Sequence, residues 1–335
     1  MTASKPEARR GGFPSFCIYG RSGSGKTPQI GIFAEKLFRE SGGVINDDGT
    51  LSGGLRTRLY TADRGGYDTI MTEIEMGLID LVDLRGYNKP WVWMAKAIQG
   101  RMPEADNPKK WTRQPALKDA EGNIIGCWAF EGLTEWGDAL MRDMREQAVA
   151  GVNIGGGAQA LIEQKDEDGE KFDYAGNNKA HYLMGQNRMN DMISQSMRLP
   201  GYLIWTAIDL RSSEPDSARQ VFGPDVGVGK AMTPKVPQKF TYTWRTVNVA
   251  KKGEPSRHSL YLVTHQDPTV PAITCLCNAR YPKDAPENLK VHTVEPADMA
   301  KAYTLVKEAH ASAKAVILSR LRQPRSEGGA NTTHE

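Results

Sequence analysis

The 335-residue sequence predicts an α/β fold: a mostly parallel central sheet flanked by helices, with antiparallel strands at one edge. Three observations carry this expectation. Phe16-Cys17-Ile18-Tyr19 is a short apolar run that feeds a glycine-rich loop, and residues 30 to 38 continue with apolar side chains at helical spacing, which reads as strand, loop, helix. Residues 202 to 208 are continuously apolar, as expected of a strand covered on both faces in a parallel sheet. Apolar runs at 59 to 62 and 124 to 130 each end in an acidic residue, Asp63 and Glu131, and a helical pattern follows the second from 136 to 149.

The remaining segments fit one elaborated domain over residues 13–290. Residues 240–249 and 259–264 alternate and predict antiparallel edge strands. Met299, Tyr303, Val306, His310, Ala313, Ile317 and Leu321 repeat at helical spacing, so a C-terminal helix is expected within 291–323. Two stretches rich in glycine and polar residues, near 151–178 and 211–238, read as loop insertions. Residues 1–12 read as a flexible arm and 324–335 as a disordered tail. No internal repeat is evident.

Hydrophobic residues at 39% and charged residues at 25% are ordinary for a globular protein, and no run of about 18 apolar residues is present to span a bilayer. The polar N-terminus lacks the apolar core of a signal peptide. A soluble, cytoplasmic protein with no membrane partner is expected. The four cysteines, Cys17, Cys127, Cys275 and Cys277, all sit in short strand-like runs and read as buried thiols. No second Cys or His pair stands at a zinc-like spacing, which argues against a structural metal site.

The strongest local signal is Gly20-Arg21-Ser22-Gly23-Ser24-Gly25-Lys26-Thr27, a complete G-x-x-x-x-G-K-[ST] phosphate loop between a strand and a helix. Its glycines let the backbone wrap closely, so that successive N–H groups and the helix N-terminus point at phosphates. Lys26 is placed to bridge the β and γ phosphates, and Thr27 to give its hydroxyl to Mg²⁺. Pro28 follows directly, and is tolerated because the first helical turn has no intrahelical partner for its N–H. An ATPase also needs carboxylates at the ends of neighbouring strands. Glu131 is the candidate for holding Mg²⁺ and Asp63 for orienting water, with Glu135 a competing carboxylate.

In its order of motifs the chain resembles the RecA-like P-loop ATPases encoded by bacteriophages, in particular those linked to single-strand annealing and recombination. The resemblance covers residues 14 to 285 and rests on Tyr19 to Thr27, Asp63, Glu131 with Thr134, the segment from Phe222 to Ala231, and Asn278-Ala279-Arg280-Tyr281-Pro282. It implies a RecA-like fold, ATP and Mg²⁺ as cofactors, a homo-oligomer with sites at subunit interfaces, single-stranded DNA as partner, and the host cell cytoplasm as location. It also implies that Arg280 reaches a phosphate of a neighbouring subunit. Two departures stand out: the family places Asp where this chain has Glu131, and Lys where it has Asn278.

The formal net charge of +3 is too small to identify a nucleic-acid partner, but its distribution is uneven. Between Arg211 and Arg257 nine basic residues face four acidic ones, with Phe222, Phe240, Tyr242 and Trp244 interleaved. Cations that neutralise phosphates and aromatic faces that stack on unpaired bases make a single-strand platform, with Arg219, Lys230, Lys235 and Lys239 as candidates; a solvated basic face with core aromatics is the other reading of the same segment. Two alternatives stay open at this level: a DNA-packaging or translocating motor, and a nucleotide-binding structural or regulatory protein with little turnover.

Overall fold

The computed structural model describes residues 13–63, 66–84, 90–104, 107–113, 118, 122–149, 161–165, 171–175, 179–213, 219–249 and 257–322. The expected N-terminal arm and C-terminal tail lie outside the described residues. Along the chain run β1 (Ser15–Tyr19), α1 (Lys26–Glu40), the hairpin β2 (Val44–Ile45) and β3 (Leu51–Ser52), β4 (Arg56–Thr61), α2 (Met71–Glu75), β5 (Ile79–Asp83) and α3 (Pro90–Ala97). A second hairpin, β6 (Arg101–Glu104) and β7 (Asn107–Arg113), precedes β8 (Ile125–Glu131), α4 (Leu133–Val149), a third pair β9 (Leu161–Lys165) and β10 (Lys171–Ala175), and α5 (Lys179–Ser196). The C-terminal part contains β11 (Tyr202–Ala207), β12 (Asp209–Ser213), β13 (Gln220–Pro224), β14 (Tyr242–Val249), β15 (Arg257–Tyr261), β16 (His265–Gln266), β17 (Thr274–Cys275), β18 (Thr293–Val294) and α6 (Met299–Arg322).

The main sheet has eight strands in the order β18-β15-β14-β1-β11-β8-β4-β5. From β14 to β5 every neighbouring pair is parallel, whereas β15 and β18 join antiparallel at one edge. The fold is therefore mixed α/β around a mostly parallel sheet. Both predicted insertions contain strands. Residues 161–165 and 171–175 form the antiparallel pair β9–β10, and β12 and β13 join β17 and β16 in a smaller four-stranded sheet. No described helix is long and apolar enough to cross a membrane.

One strand expectation needs correction. Residues 240–249 read as an antiparallel edge strand, yet β14 lies inside the sheet and runs parallel to β1, with Phe16 opposite Tyr242 and Tyr19 opposite Arg245. Its polar alternate residues mimic a solvent face but point into the protein. Arg245 is buried and ion-paired to Asp209 at 2.8 Å and to Asp267 at 2.7 Å, and Thr243 exchanges backbone hydrogen bonds with Asn278. Antiparallel pairing begins only at β15.

β1 divides the interior into two apolar cores. Phe16 and Ile18 face α1 and α6, packing with Phe33, Leu37, Tyr303 and Val306, while Cys17 and Tyr19 belong to the core of α4 and α5, with Trp136, Leu140, Met189 and Met192. Phe16 contacts Tyr303 edge-on, with ring centroids 5.4 Å apart. Burying each such aromatic or aliphatic side chain is worth roughly 1.5–3 kcal/mol, so both faces of this one strand contribute to stability.

α4 sits unusually close to the segment after β13. A Cβ built on Gly137 would lie 1.7 Å from the Val226 carbonyl oxygen, and one on Gly227, whose φ is +66°, would lie 2.3 Å from the Thr134 carbonyl. Alanine gains at most about 1 kcal/mol over glycine from helix propensity. Relieving a backbone clash of this depth costs typically 1–3 kcal/mol or more. Gly137→Ala is therefore expected to destabilise the protein, measured as a lower urea midpoint at unchanged slope; a midpoint equal to or above that of the wild type would show that the helix can shift freely.

Candidate functional site

The phosphate loop folds as its glycines dictate. Gly23 and Gly25 adopt left-handed backbone angles, φ +72° and +86°, which a side chain would strain. Gly20 is required for another reason: a Cβ there would lie 2.3 Å from the Thr246 carbonyl oxygen on β14. The loop is fastened from beneath by the Gly20 N–H donating to the Ala207 carbonyl and by Ser24 Oγ, 2.7 Å from Thr246 Oγ1. Gly25 is the N-cap of α1, and no side chain caps the helix, so the donors of its first turn remain for a ligand.

The loop opens into a cavity of about 470 Å³ at the C-terminal ends of β1, β4, β8 and β11, where ligands bind in open parallel sheets. Lys26, Thr27 and Pro28 line it from the loop, Asp63 from β4, Glu131 and Glu135 from β8 and α4, and Thr206 to Ile208 from β11. The Thr27 hydroxyl donates to Glu131 Oε1, and Thr61 donates to Glu131 Oε2 at 3.0 Å. Asp63 lies close by: a Cβ on Gly66 would approach Glu131 Oε1 at 2.5 Å and Asp63 Oδ2 at 2.9 Å. Lys26 Nζ donates to the carbonyls of Gly20 at 3.1 Å and Arg21 at 3.0 Å.

Charge here is half-desolvated. Burial holds the Lys26 ammonium below the usual lysine range, against the pull of Glu135, Asp209, Asp63 and Glu131. Burial likewise raises the Glu131 carboxyl, although hydrogen bonds from Thr27 and Thr61 oppose it. Glu135 is also raised by burial, and its Oε2 is buried without a hydrogen-bond partner. A glycine cradle, an uncapped helix start, a desolvated cation and an unpartnered acceptor oxygen together fit a polyphosphate and a hard cation that takes oxygen ligands. Among the described residues no cluster of three or more His, Cys, Asp and Glu could hold a metal alone.

The sequence motif therefore comes together with Glu131, Asp63 and Glu135 in one cleft. Arg280 does not join it. It has left-handed backbone geometry, φ +46°, and its guanidinium donates to the carbonyls of Gln238 and Phe240. Of the four candidate nucleic-acid contacts, Lys230 and Lys235 are exposed, Lys239 donates to Asn190, and Arg219 donates to Thr274 at 2.7 Å. Phe240, Tyr242 and Trp244 are core residues and offer no face for stacking, which removes three of the four aromatics from the expected platform.

Several site residues escaped sequence reasoning. Thr61 and Thr206 end strands without a motif. His258 on β15 has Nδ1 3.0 Å from the Ser24 carbonyl, which only accepts, so Nδ1 carries the proton. Gln29 has its amide fully used: it donates to Gly25 and Ala297, both at 3.3 Å, and accepts from the Met299 N–H at 2.8 Å. Comparison with models of protein families and with curated proteins finds no match to the chain.

The raised Glu131 carboxyl has a consequence for stability. The folded protein binds this proton more tightly than the unfolded chain, whose carboxyl titrates near about 4.3, so stability falls as pH rises from there through the raised folded value. Glu131→Gln removes the titration. Urea unfolding between about pH 4 and pH 8 should show the variant gaining on the wild type as pH rises; a difference independent of pH would assign the effect to other groups.

Proposed function

We propose that this protein is a P-loop ATPase that binds ATP with Mg²⁺ and hydrolyses it to ADP and phosphate. The observation that carries the reading is the hydrogen bond from the loop threonine, Thr27, to Glu131 at the end of β8, formed beside Lys26 in one cleft although the residues are 104 positions apart. A glycine-rich turn with no ligand gives no reason for a buried carboxylate to meet the loop hydroxyl.

In this reading the N–H groups at the start of α1 and the Lys26 ammonium bind the phosphate chain, and Lys26 stabilises the charge that moves onto the leaving oxygens. Thr27 and Glu131 would hold Mg²⁺, which when bound neutralises the β and γ oxygens. Asp63 accepts a proton from the attacking water or orients it, and Glu135, with a free acceptor oxygen, is the second carboxylate within reach of the same site. Glu131 is one methylene longer than the aspartate of the family it resembles; the extra reach is taken up by contacts to both Thr27 and Thr61.

The RecA-like assignment and the coupling to single-stranded DNA in phage recombination or replication are parts of the same proposal. The mostly parallel sheet with an antiparallel edge supports the first. The second is supported by exposed Lys230 and Lys235, so phosphate neutralisation rather than base stacking is the interaction it offers. Arg280 acts in a neighbouring subunit only if its guanidinium leaves the Gln238 and Phe240 carbonyls.

Phosphate release from ATP and Mg²⁺, with and without single-stranded DNA, tests this directly. Lys26→Ala should lose ATP binding and turnover; unchanged affinity would remove the basis of the reading. Glu131→Gln should keep ATP binding while turnover falls by about 10–100-fold, the usual loss when a metal-orienting group is removed. Replacing Lys230 and Lys235 together by Glu should leave DNA-free turnover unchanged and abolish any stimulation by DNA. Stimulation that survives the double change would place the nucleic acid elsewhere.

A further inference from the structure

A second cavity, of about 660 Å³, lies against the first turns of α1 and adjoins the first, since Gly25, Pro28 and His258 line both. Its volume is in the range of small-ligand sites, about 300–1,000 Å³. Ile32, Pro28 and Pro296 give it apolar walls, and Arg257, His258 and Glu295 supply polar groups. That composition, apolar faces with a few convergent donors and acceptors, suits a flat ring joined to a hydroxyl-rich group.

Its frame is tied to the phosphate loop at two points. Gln29 joins Gly25 to residues 297 and 299, and the Ala297 N–H donates to the His258 carbonyl at 2.7 Å. His258 in turn holds the Ser24 carbonyl through Nδ1, which leaves Nε2 as an acceptor in the neutral ring. Glu295 accepts from Ser259 Oγ at 2.6 Å through one oxygen, Oε1. An ionised carboxylate only accepts, so its remaining capacity selects N–H or O–H donors, such as ribose hydroxyls or an exocyclic amino group.

We propose that this cavity is the nucleoside subsite of the phosphate loop, with the base against Ile32 and Pro296 and the donors of the nucleoside on Glu295 and His258. The inference rests on the phosphate-loop reading above, since a nucleoside reaches this cavity only if its phosphates occupy the first. Phosphate and nucleoside binding then divide between two adjoining compartments, and filling the second should penalise ATP without touching inorganic polyphosphate.

The test is titration calorimetry on the full chain with Mg²⁺, comparing ATP with inorganic tripolyphosphate. Wild type should bind ATP more tightly than tripolyphosphate. Ile32→Trp, which fills the second cavity, should weaken ATP about tenfold or more and leave tripolyphosphate within about twofold, with Ile32→Phe between the two. Unchanged ATP affinity in Ile32→Trp overturns the inference, as does an equal loss for both ligands in both variants, since the cavity would then carry no contact specific to the nucleoside. Equal wild-type affinities for the two ligands overturn it as well. Wild type that binds neither ligand refutes instead the phosphate-loop reading on which the inference stands.

Discussion

The structure depends on the parallel pairing of β1 with β11 on one side and β14 on the other. All five residues of β1 are buried, its alternate side chains feed two separate cores, and its C-terminal end becomes the phosphate loop. A strand hydrogen-bonded along both edges and packed on both faces has no soft direction. The loop that leaves it begins from a fixed point, and the Gly20 N–H extends the β11 pairing one step past the strand.

Charge is placed around this fixed point in two ways. Arg245 joins Asp209 and Asp267 in a buried ionic cluster, with one guanidinium nitrogen on each carboxylate and Nε left without a partner among the described residues. Burial opposes ionisation of Asp267, but hydrogen bonds from Thr269 and Arg245 outweigh it and hold the carboxyl well below its ordinary range. In the cleft, Lys26, Glu131 and Glu135 are desolvated without such compensation. A buried ion group in which each carboxylate meets the guanidinium directly fixes position, while one whose charges lack such direct pairing keeps binding capacity for something else.

Much of the framework was legible in the sequence, for reasons visible in the structure. β1, β8 and β11 are buried throughout or nearly so, and therefore appear as unbroken apolar runs; α1 and α6 each bury one face and show it as helical spacing. The glycine-rich loop was legible because its motif has a fixed spacing, and Asp63 and Glu131 because a carboxylate at the end of an apolar run is conspicuous. What escaped was set by distant partners. β5 is only half-buried and alternates weakly, the apolar residues of α5 show little helical periodicity, and the parallel pairing of β14 could not be read from a segment with buried Thr243 and Arg245. The basic residues from 211 to 257 fit a solvated face, yet Arg245 among them is a core residue ion-paired to Asp209 and Asp267. Phe240, Tyr242 and Trp244 were legible either as a stacking platform or as core, since sequence proximity to lysine says nothing about which face a strand residue takes.

The amide of Gln29 also has a bearing on the order in which the molecule is built. Its partners at residues 297 and 299 lie 268 and 270 positions away, so the brace that fixes the start of α1 can close only after that length of chain has followed it. During synthesis from the N-terminus the glycine loop emerges well before its supporting bracket. The long-range closure carries the entropic cost of a high contact order, and the nascent chain must carry an unbraced loop until α6 docks.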